Sequence, residues 1–291
     1  MAIKTIGIAG LGLMGGAVAM ALRRAFTGVH VLACDIDENT LASAKADAVI
    51  DEGFVDAKAM LPQCGLVFLC LNPSVIPRFI VENMRAFAPS SLITDVAGVK
   101  TGVASFIEAN LRADVDYVPG HPMAGSENGG YSEAKKCDFT GKNYILTPLK
   151  RNKPENLALI REIVYKMGFS RITETTPAEH DYAIAFTSQL CHVIAAALID
   201  CEQDSNIIRF GGGSFEDLTR IALFNAAQWT ELFLENSQSL LTRIVQFSAS
   251  LDKLKSLIEN GDRKGLQTCL QTVRERKEQA ETVSILHNGR C

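Results

Sequence analysis

The sequence contains no Cys-x-x-Cys pair, and none of its eight cysteines stands with histidine at zinc-site spacing. No metal site is therefore expected. Cys70 sits between Leu69 and Leu71, and Cys191 follows Leu190. Such apolar settings point to reduced, buried thiols in a cytoplasmic protein and away from a disulfide framework. A long basic block is also missing: 29 Lys+Arg against 33 Asp+Glu leave a formal net charge of −4. That balance disfavours nucleic acid or an anionic membrane as the main partner. No apolar run reaches the roughly 20 residues of a membrane span. The N-terminus enters a strand-like run, Ala2-Ile3-Lys4-Thr5-Ile6, without the zones of a signal peptide. Internal repeats of roughly 20–50 residues are absent as well. What is present is ordinary for a packed protein: 47% hydrophobic and 21% charged residues over 291 positions. That length suits two domains of roughly 100–200 residues each.

The chain changes character near its middle. Ile3–Ala9, Val29–Cys34, Leu66–Leu71 and Ser91–Val96 are short apolar runs bounded by turn residues, and they read as buried strands. Ala17–Phe26, Thr40–Ala46 and Val75–Phe87 read as the helices between them. This alternation predicts an α/β, Rossmann-type, doubly wound parallel sheet. Asp116–Val118, Tyr144–Thr147 and Phe169–Thr173 are expected to add strands, with a helix over Pro154–Met167. From Pro177 onward strand signals vanish. Pro177 and Glu179 mark a helix start, and Ala178–Cys201 is apolar almost all round, the pattern of a buried helix. After Gly211-Gly212-Gly213, Ser214 and Asp217 have capping-box spacing. Phe233, Leu240, Phe247 and Leu254 repeat every seven residues, with Ile244, Leu251 and Ile258 at the companion positions. That seam suits either a coiled-coil partner or an ordinary amphipathic helix. The expected division is a nucleotide-binding domain over 1–173 and an all-α substrate and dimerisation domain over 174–291, with homodimerisation through the C-terminal helices.

The most informative local pattern is Gly10-Leu11-Gly12-Leu13-Met14-Gly15, between a strand and a helix inside a βαβ unit. Gly10 allows a tight turn, Gly12 lets a pyrophosphate approach the backbone, and Gly15 lets helix pack on strand. The helix start, with Leu13 and Met14, offers free N–H groups to phosphate. Asp35 closes the second strand, twenty residues beyond Gly15. A carboxylate there binds ribose hydroxyls and repels a 2′-phosphate, which predicts NAD as cofactor. Arg23 and Arg24, in the first helix, would weaken that preference only by facing the ribose.

A second constellation is Pro119-Gly120-His121-Pro122-Met123-Ala124-Gly125-Ser126-Glu127. His121 follows a strand at its carboxyl end, the edge where doubly wound sheets bind ligands. A neutral imidazole there can take a hydroxyl proton while a hydride leaves the same carbon. On the long apolar helix, Ser188 and His192 share a face; His192 is either a ligand contact or a satisfied core histidine. Arg220 presents a planar fork suited to a carboxylate, or pairs locally with Asp217. Trp229, the single tryptophan, reads as a core anchor.

Taken in order, these residues resemble the prephenate dehydrogenase family, whose variants are arogenate and cyclohexadienyl dehydrogenases. The resemblance runs through Gly10–Gly15, Thr94-Asp95-Val96, His121–Glu127, Ala178-Glu179-His180-Asp181-Tyr182, Ser188–His192, Gly212–Ala222, and Trp229 with Phe233–Asn236. It implies NAD-dependent oxidative decarboxylation of prephenate (or arogenate) in tyrosine synthesis. In that scheme His121 is the base at the ring hydroxyl, His192 and Arg220 hold substrate carboxylate, and Ser126 and Glu127 line the side-chain end of the pocket. This chain departs from the family at Ala97-Gly98-Val99-Lys100, where many relatives carry Gly-Ser-Val-Lys; the serine hydroxyl that would orient the catalytic histidine is missing. With the chain ending at Cys291, no appended ACT domain or chorismate mutase segment is expected. A β-hydroxyacid dehydrogenase would need a lysine on the long helix, and Ala178–Cys201 has none. A non-catalytic NAD-binding regulator would need neither the post-strand histidine nor the cationic pair.

Overall fold

The computed structural model describes residues 3–126 and 128–288. Six parallel strands form the main sheet: β1 (Thr5–Ala9), β2 (His30–Cys34), β3 (Glu52–Phe54), β4 (Leu66–Leu69), β5 (Leu92–Asp95) and β6 (Asp116–Val118). Their spatial order is β3-β2-β1-β4-β5-β6. The order in which strands are added reverses between β1 and β4, which opens a crevice at the carboxyl ends of those parallel strands.

The apolar runs are continuous because both faces of the sheet are covered. Ile6, Ile8, Val31, Ala33, Leu66 and Phe68 pack on one side with the helices Leu13–Ala25 and Pro154–Lys166. Their alternate neighbours Ala9, Leu32, Cys34, Val67 and Leu69 pack on the other with the helices Val75–Asn83 and Thr101–Asn110. A small second sheet joins β7 (Gly120–Pro122), β8 (Asn143–Leu146) and β9 (Arg171–Glu174). β7 pairs antiparallel with β8, which runs parallel to β9. The segment around His121 is thus a strand, with His121 opposite Ile145. β3 and the helix Thr101–Asn110 add to the elements expected from sequence.

After β9 a helical rod runs over Pro177–Asp200, with a π turn at Ala185–Gln189. Its start is a complete capping box: the Thr176 hydroxyl accepts from Glu179 N–H, and the Glu179 carboxylate accepts from Thr176 N–H. Long and apolar enough to cross a membrane by length and composition alone, the rod nevertheless buries polar His180, Asp181 and Gln189. The expectation of burial all round fails: Tyr182, Phe186 and Ile199 are exposed. The capping box read at Ser214 does not form either. Gly212 occupies the cap, with no side-chain hydrogen bond, and the helix runs Gly213–Thr219. The helix Ala226–Glu235 follows.

The chain divides into two compact units, the first ending at Ser237 and the second beginning at Gln238. The second unit holds most of the helix Ser237–Glu259 and the helix Arg263–Asn288. The heptad seam is shorter than the spacing implies. Phe233 belongs to the preceding helix, and Asn236 separates the two, so the seam starts at Leu240. Cys34, Cys64, Cys70, Cys137, Cys191, Cys201 and Cys269 are free thiols; burial pushes the pKa of the Cys34 and Cys64 thiols up to about 12, whereas Cys191 and Cys201 are exposed, contrary to the expectation of buried thiols. Cys291 lies outside the described residues.

Candidate active site

Gly10 leaves β1 with φ +88°, and its N–H donates to the Cys34 carbonyl at 2.8 Å. A Cβ at Gly15 would lie 1.8 Å from the Gly10 carbonyl oxygen, so only glycine permits this helix to sit against this strand. At Gly12 a Cβ would meet nothing within 4 Å. Gly12 is also the N-cap of the helix Leu13–Ala25 and provides no side-chain cap, which leaves orphan N–H groups facing the crevice. Gly12, Leu13 and Met14 line a cleft of about 670 Å³. Asp35 stands beside this loop. Its Oδ2 accepts from Leu11 N–H at 2.6 Å and its Oδ1 from Asp37 N–H at 3.0 Å. Arg23 is committed elsewhere, to Asp51 at 2.6 Å and to the carbonyls of Val29 and Val49.

The same cleft is lined by His121, Ser126, His192 and Arg220. Sequence positions read as two separate groups therefore meet on one surface. His121 reaches it from β7. Its Nδ1 is 2.9 Å from His180 Nε2, and the two rings meet edge to face. His180 Nδ1 is in turn 2.8 Å from Asp181 Oδ1. Asp181 is held at the start of the helix Thr101–Asn110: Oδ1 accepts from Lys100 N–H and Oδ2 from Thr101 N–H, both at 2.8 Å. Behind this chain Lys100 and Asp95 form a fully buried ion pair. Asp95 also accepts from Tyr117 Oη at 2.8 Å and Gly120 N–H at 3.2 Å. Burial holds the His121 imidazole well below the ordinary histidine range, with His180 and Lys100 adding to the shift. His180 is lowered for the same first reason, although Asp181 opposes it. Burial raises Asp181, but hydrogen bonds from His180 and Thr101 outweigh it and the net shift is downward. Lys100 is lowered by burial against the pull of Asp95.

On the helical side, the π turn places Ser188 and Gln189 in the cleft wall just before His192. His192 Nδ1 donates to the Ser188 carbonyl at 3.0 Å. Its ring stacks on Trp229, with centroids 3.5 Å apart. Trp229 is half-buried and lines the cleft, so it is a wall of the site and not a core anchor. Arg220 starts the short turn after the helix Gly213–Thr219 and lines the cleft. Asn236 Nδ2 donates to the Asp181 carbonyl and to Gln189 Oε1, and Gln189 Nε2 donates to the Leu232 carbonyl, each at 2.8 Å. Glu127 lies outside the described residues.

Sequence reading missed the roles of Asp95, Lys100, His180 and Asp181. One signal was available: adjacent His180 and Asp181 are polar residues on an otherwise apolar helix, where burial demands partners. Lys100 is buried and ion-paired with Asp95 and is not among the cleft-lining residues.

The prephenate dehydrogenase nucleotide-binding domain family matches residues 18–173, and the prephenate dehydrogenase dimerization domain family matches residues 176–272. The cyclohexadienyl dehydrogenase of Zymomonas mobilis is 31% identical, with 89% of this chain and 90% of that protein aligned. A crystal structure of prephenate dehydrogenase from A. aeolicus, in complex with hydroxyphenyl propionate and NAD+, superposes with a TM-score of 0.87. Its identity is 28%, and the match covers 96% of this chain and 99% of that one. The Synechocystis arogenate dehydrogenase structure gives a TM-score of 0.80 at 29% identity, covering 95% and 99%. The fold and both domain families agree, and the chain belongs to the prephenate dehydrogenase family.

Proposed function

We propose that the chain oxidises prephenate to 4-hydroxyphenylpyruvate with loss of CO2, using NAD+, on the route to tyrosine. The observation that carries this reading is the convergence of the glycine loop, His121, His192 and Arg220 on one cleft. Gly10, Gly12, Leu13, Met14 and Gly15 form a cradle that fits a dinucleotide: open space at Gly12 and an uncapped helix start. Asp35 suits a ribose with free hydroxyls, and Arg23, already engaged, is not available to a 2′-phosphate. When bound, NAD+ supplies the hydride acceptor.

The chain's own residues then handle one proton and two carboxylates. The imidazole of His121 accepts the proton of the ring hydroxyl as the carbinol carbon is oxidised to a ketone. Loss of the ring carboxylate as CO2 leaves its bonding electron pair in the ring, which becomes aromatic. The ketone oxygen becomes a phenolate and recovers the proton held on His121. Arg220 and His192 hold substrate carboxylate, and Ser126 lines the side-chain end of the cleft. The family resemblance assigns Glu127 to that end as well. Residues 174–291 would serve as the substrate and dimerisation part of a homodimer.

Reduction of NAD+ and NADP+, followed with prephenate, arogenate and hydroxyisobutyrate in parallel, tests the reading. Turnover of prephenate with NAD+ is the expected result. Preference for arogenate or NADP+ overturns that part of the assignment, and silence with every substrate overturns the enzymatic reading.

A further inference from the structure

In this chain the position beside the reactive nitrogen of His121 is Gly98, where a Cβ would lie 3.9 Å from Nε2. No side chain at that position can orient the imidazole. Orientation comes from the opposite nitrogen. Three donors converge on the Asp181 carboxylate: two backbone N–H groups and the His180 ring. Such a carboxylate is ionised and acceptor-only. His180 Nδ1 must then carry a hydrogen, and in the neutral ring Nε2 carries the lone pair. That lone pair faces His121 Nδ1 at 2.9 Å. A contact of this length requires one donor, so His121 holds its hydrogen on Nδ1 and its lone pair on Nε2, toward Gly98 and the cleft.

We infer that His180 and Asp181 are positioning residues that fix the tautomer of His121 and present Nε2 as the proton acceptor. The charge distribution suits this role. Asp95 is neutralised by Lys100, whereas Asp181 has no side-chain cation of its own among the described contacts. When the substrate hydroxyl proton arrives on Nε2, the O–H bond breaks, a new N–H bond forms, and His121 becomes an imidazolium. Its Nδ1–H already points to His180 and, through it, to the Asp181 carboxylate. The low pKa directions of both rings agree with a relay that is neutral at rest.

This inference rests on His121 being the base of the proposed reaction, but its first test does not depend on substrate. Nitrogen-15 spectra of histidine ring nitrogens in the unliganded full-length protein at neutral pH report the tautomer directly, with His121→Asn and His180→Asn identifying the signals. The expected result is a protonated Nδ1 and a bare Nε2 on His121; the reverse assignment overturns the inference, even if prephenate is turned over. Conversely, the expected tautomer in a protein inactive on prephenate leaves the inference standing and sinks the substrate assignment. The kinetic arm uses His180→Ala and His180→Gln. A wrong-tautomer histidine in a protease triad loses about 10⁴-fold in kcat. Here His180→Ala is expected to lose at least ~10²-fold in kcat, with the NAD+ Kd unchanged within about threefold. His180→Gln, whose Oε1 can accept from Nδ1–H, should recover at least ~10-fold of that loss. A His180→Ala enzyme within about threefold of the parent kcat overturns the role.

Discussion

Burial determines how His121 behaves toward pH. Its pKa lies well below the usual 6.5, with burial as the main cause and His180 and Lys100 reinforcing it. The groups arrayed around it are His180 and Asp181 from the long helical rod, Lys100 from the loop after β5, and Asp95 from β5 itself. A base acts when deprotonated, so kcat/KM should fall only as acid protonates it, and that limb should lie below pH 6.5. An acid limb centred above 6.5 would assign the base to another group. Replacing His121 with Asn should remove the limb and lower kcat by roughly 10²–10⁴-fold, with NAD+ affinity unchanged by calorimetry. Arg220→Ala should instead act mainly on KM for prephenate. One charge-assisted contact is worth about 1.5–3 kcal/mol, or roughly 10- to 150-fold. Arg220→Lys should restore little of it, since an ammonium lacks the planar fork. A parental KM in Arg220→Ala would remove this residue from the substrate site. His121, His192 and Arg220, which line one cleft, each sit in a local pattern that the sequence displays. The network behind them was not legible there, since His121 meets His180 across 59 positions and Asp181 meets Lys100 across 81. No short-range pattern encodes such a pairing.

At the scale of elements, the strands that sequence identified are those buried on both faces, such as β1 and β4, whose apolar runs are continuous. β3 escaped because it is three residues long with an exposed Glu52. β7 escaped because Pro119, Gly120 and Pro122 carry the signature of a loop, and only its pairing with β8 makes it a strand. The π turn at Ala185–Gln189 likewise has no local cue. What holds it is lateral: Gln189 is pinned between the Leu232 carbonyl and Asn236, which also ties down the Asp181 carbonyl. These groups are buried, so losing the donor leaves acceptors stranded. Asn236→Ala should therefore cost about 1–3 kcal/mol of unfolding free energy by chemical denaturation. Combined with Gln189→Ala, the two losses should be less than additive, because both remove the shared contact. Full additivity would mean that Asn236 and Gln189 do not act as one brace.

The molecule as a whole leaves more apolar surface open than a solitary chain tolerates well. On the second unit, Leu251 is 55% and Ile258 64% exposed, and Phe247 continues the same helix face. Leu270 and Val273 are exposed on the helix after it. This face is the part of the heptad seam that survives beyond Asn236, so its spacing was readable in sequence even though its start was not. The dimerization-domain family covers the helix through Glu259 and continues to residue 272. A second copy of the chain is the occupant that fits, and in a two-fold interface each side chain counts twice. Burying one such side chain is worth about 1.5–3 kcal/mol. Leu251→Glu with Ile258→Glu thus removes four apolar groups from a dimer, about 6–12 kcal/mol, and introduces four carboxylates. Sedimentation equilibrium should find the parent at twice the chain mass and the double variant at the chain mass, with unchanged helix content by circular dichroism. A double variant that remains dimeric would place the interface elsewhere; the exposed Phe186 and Ile199 of the first unit would then be the next face to test.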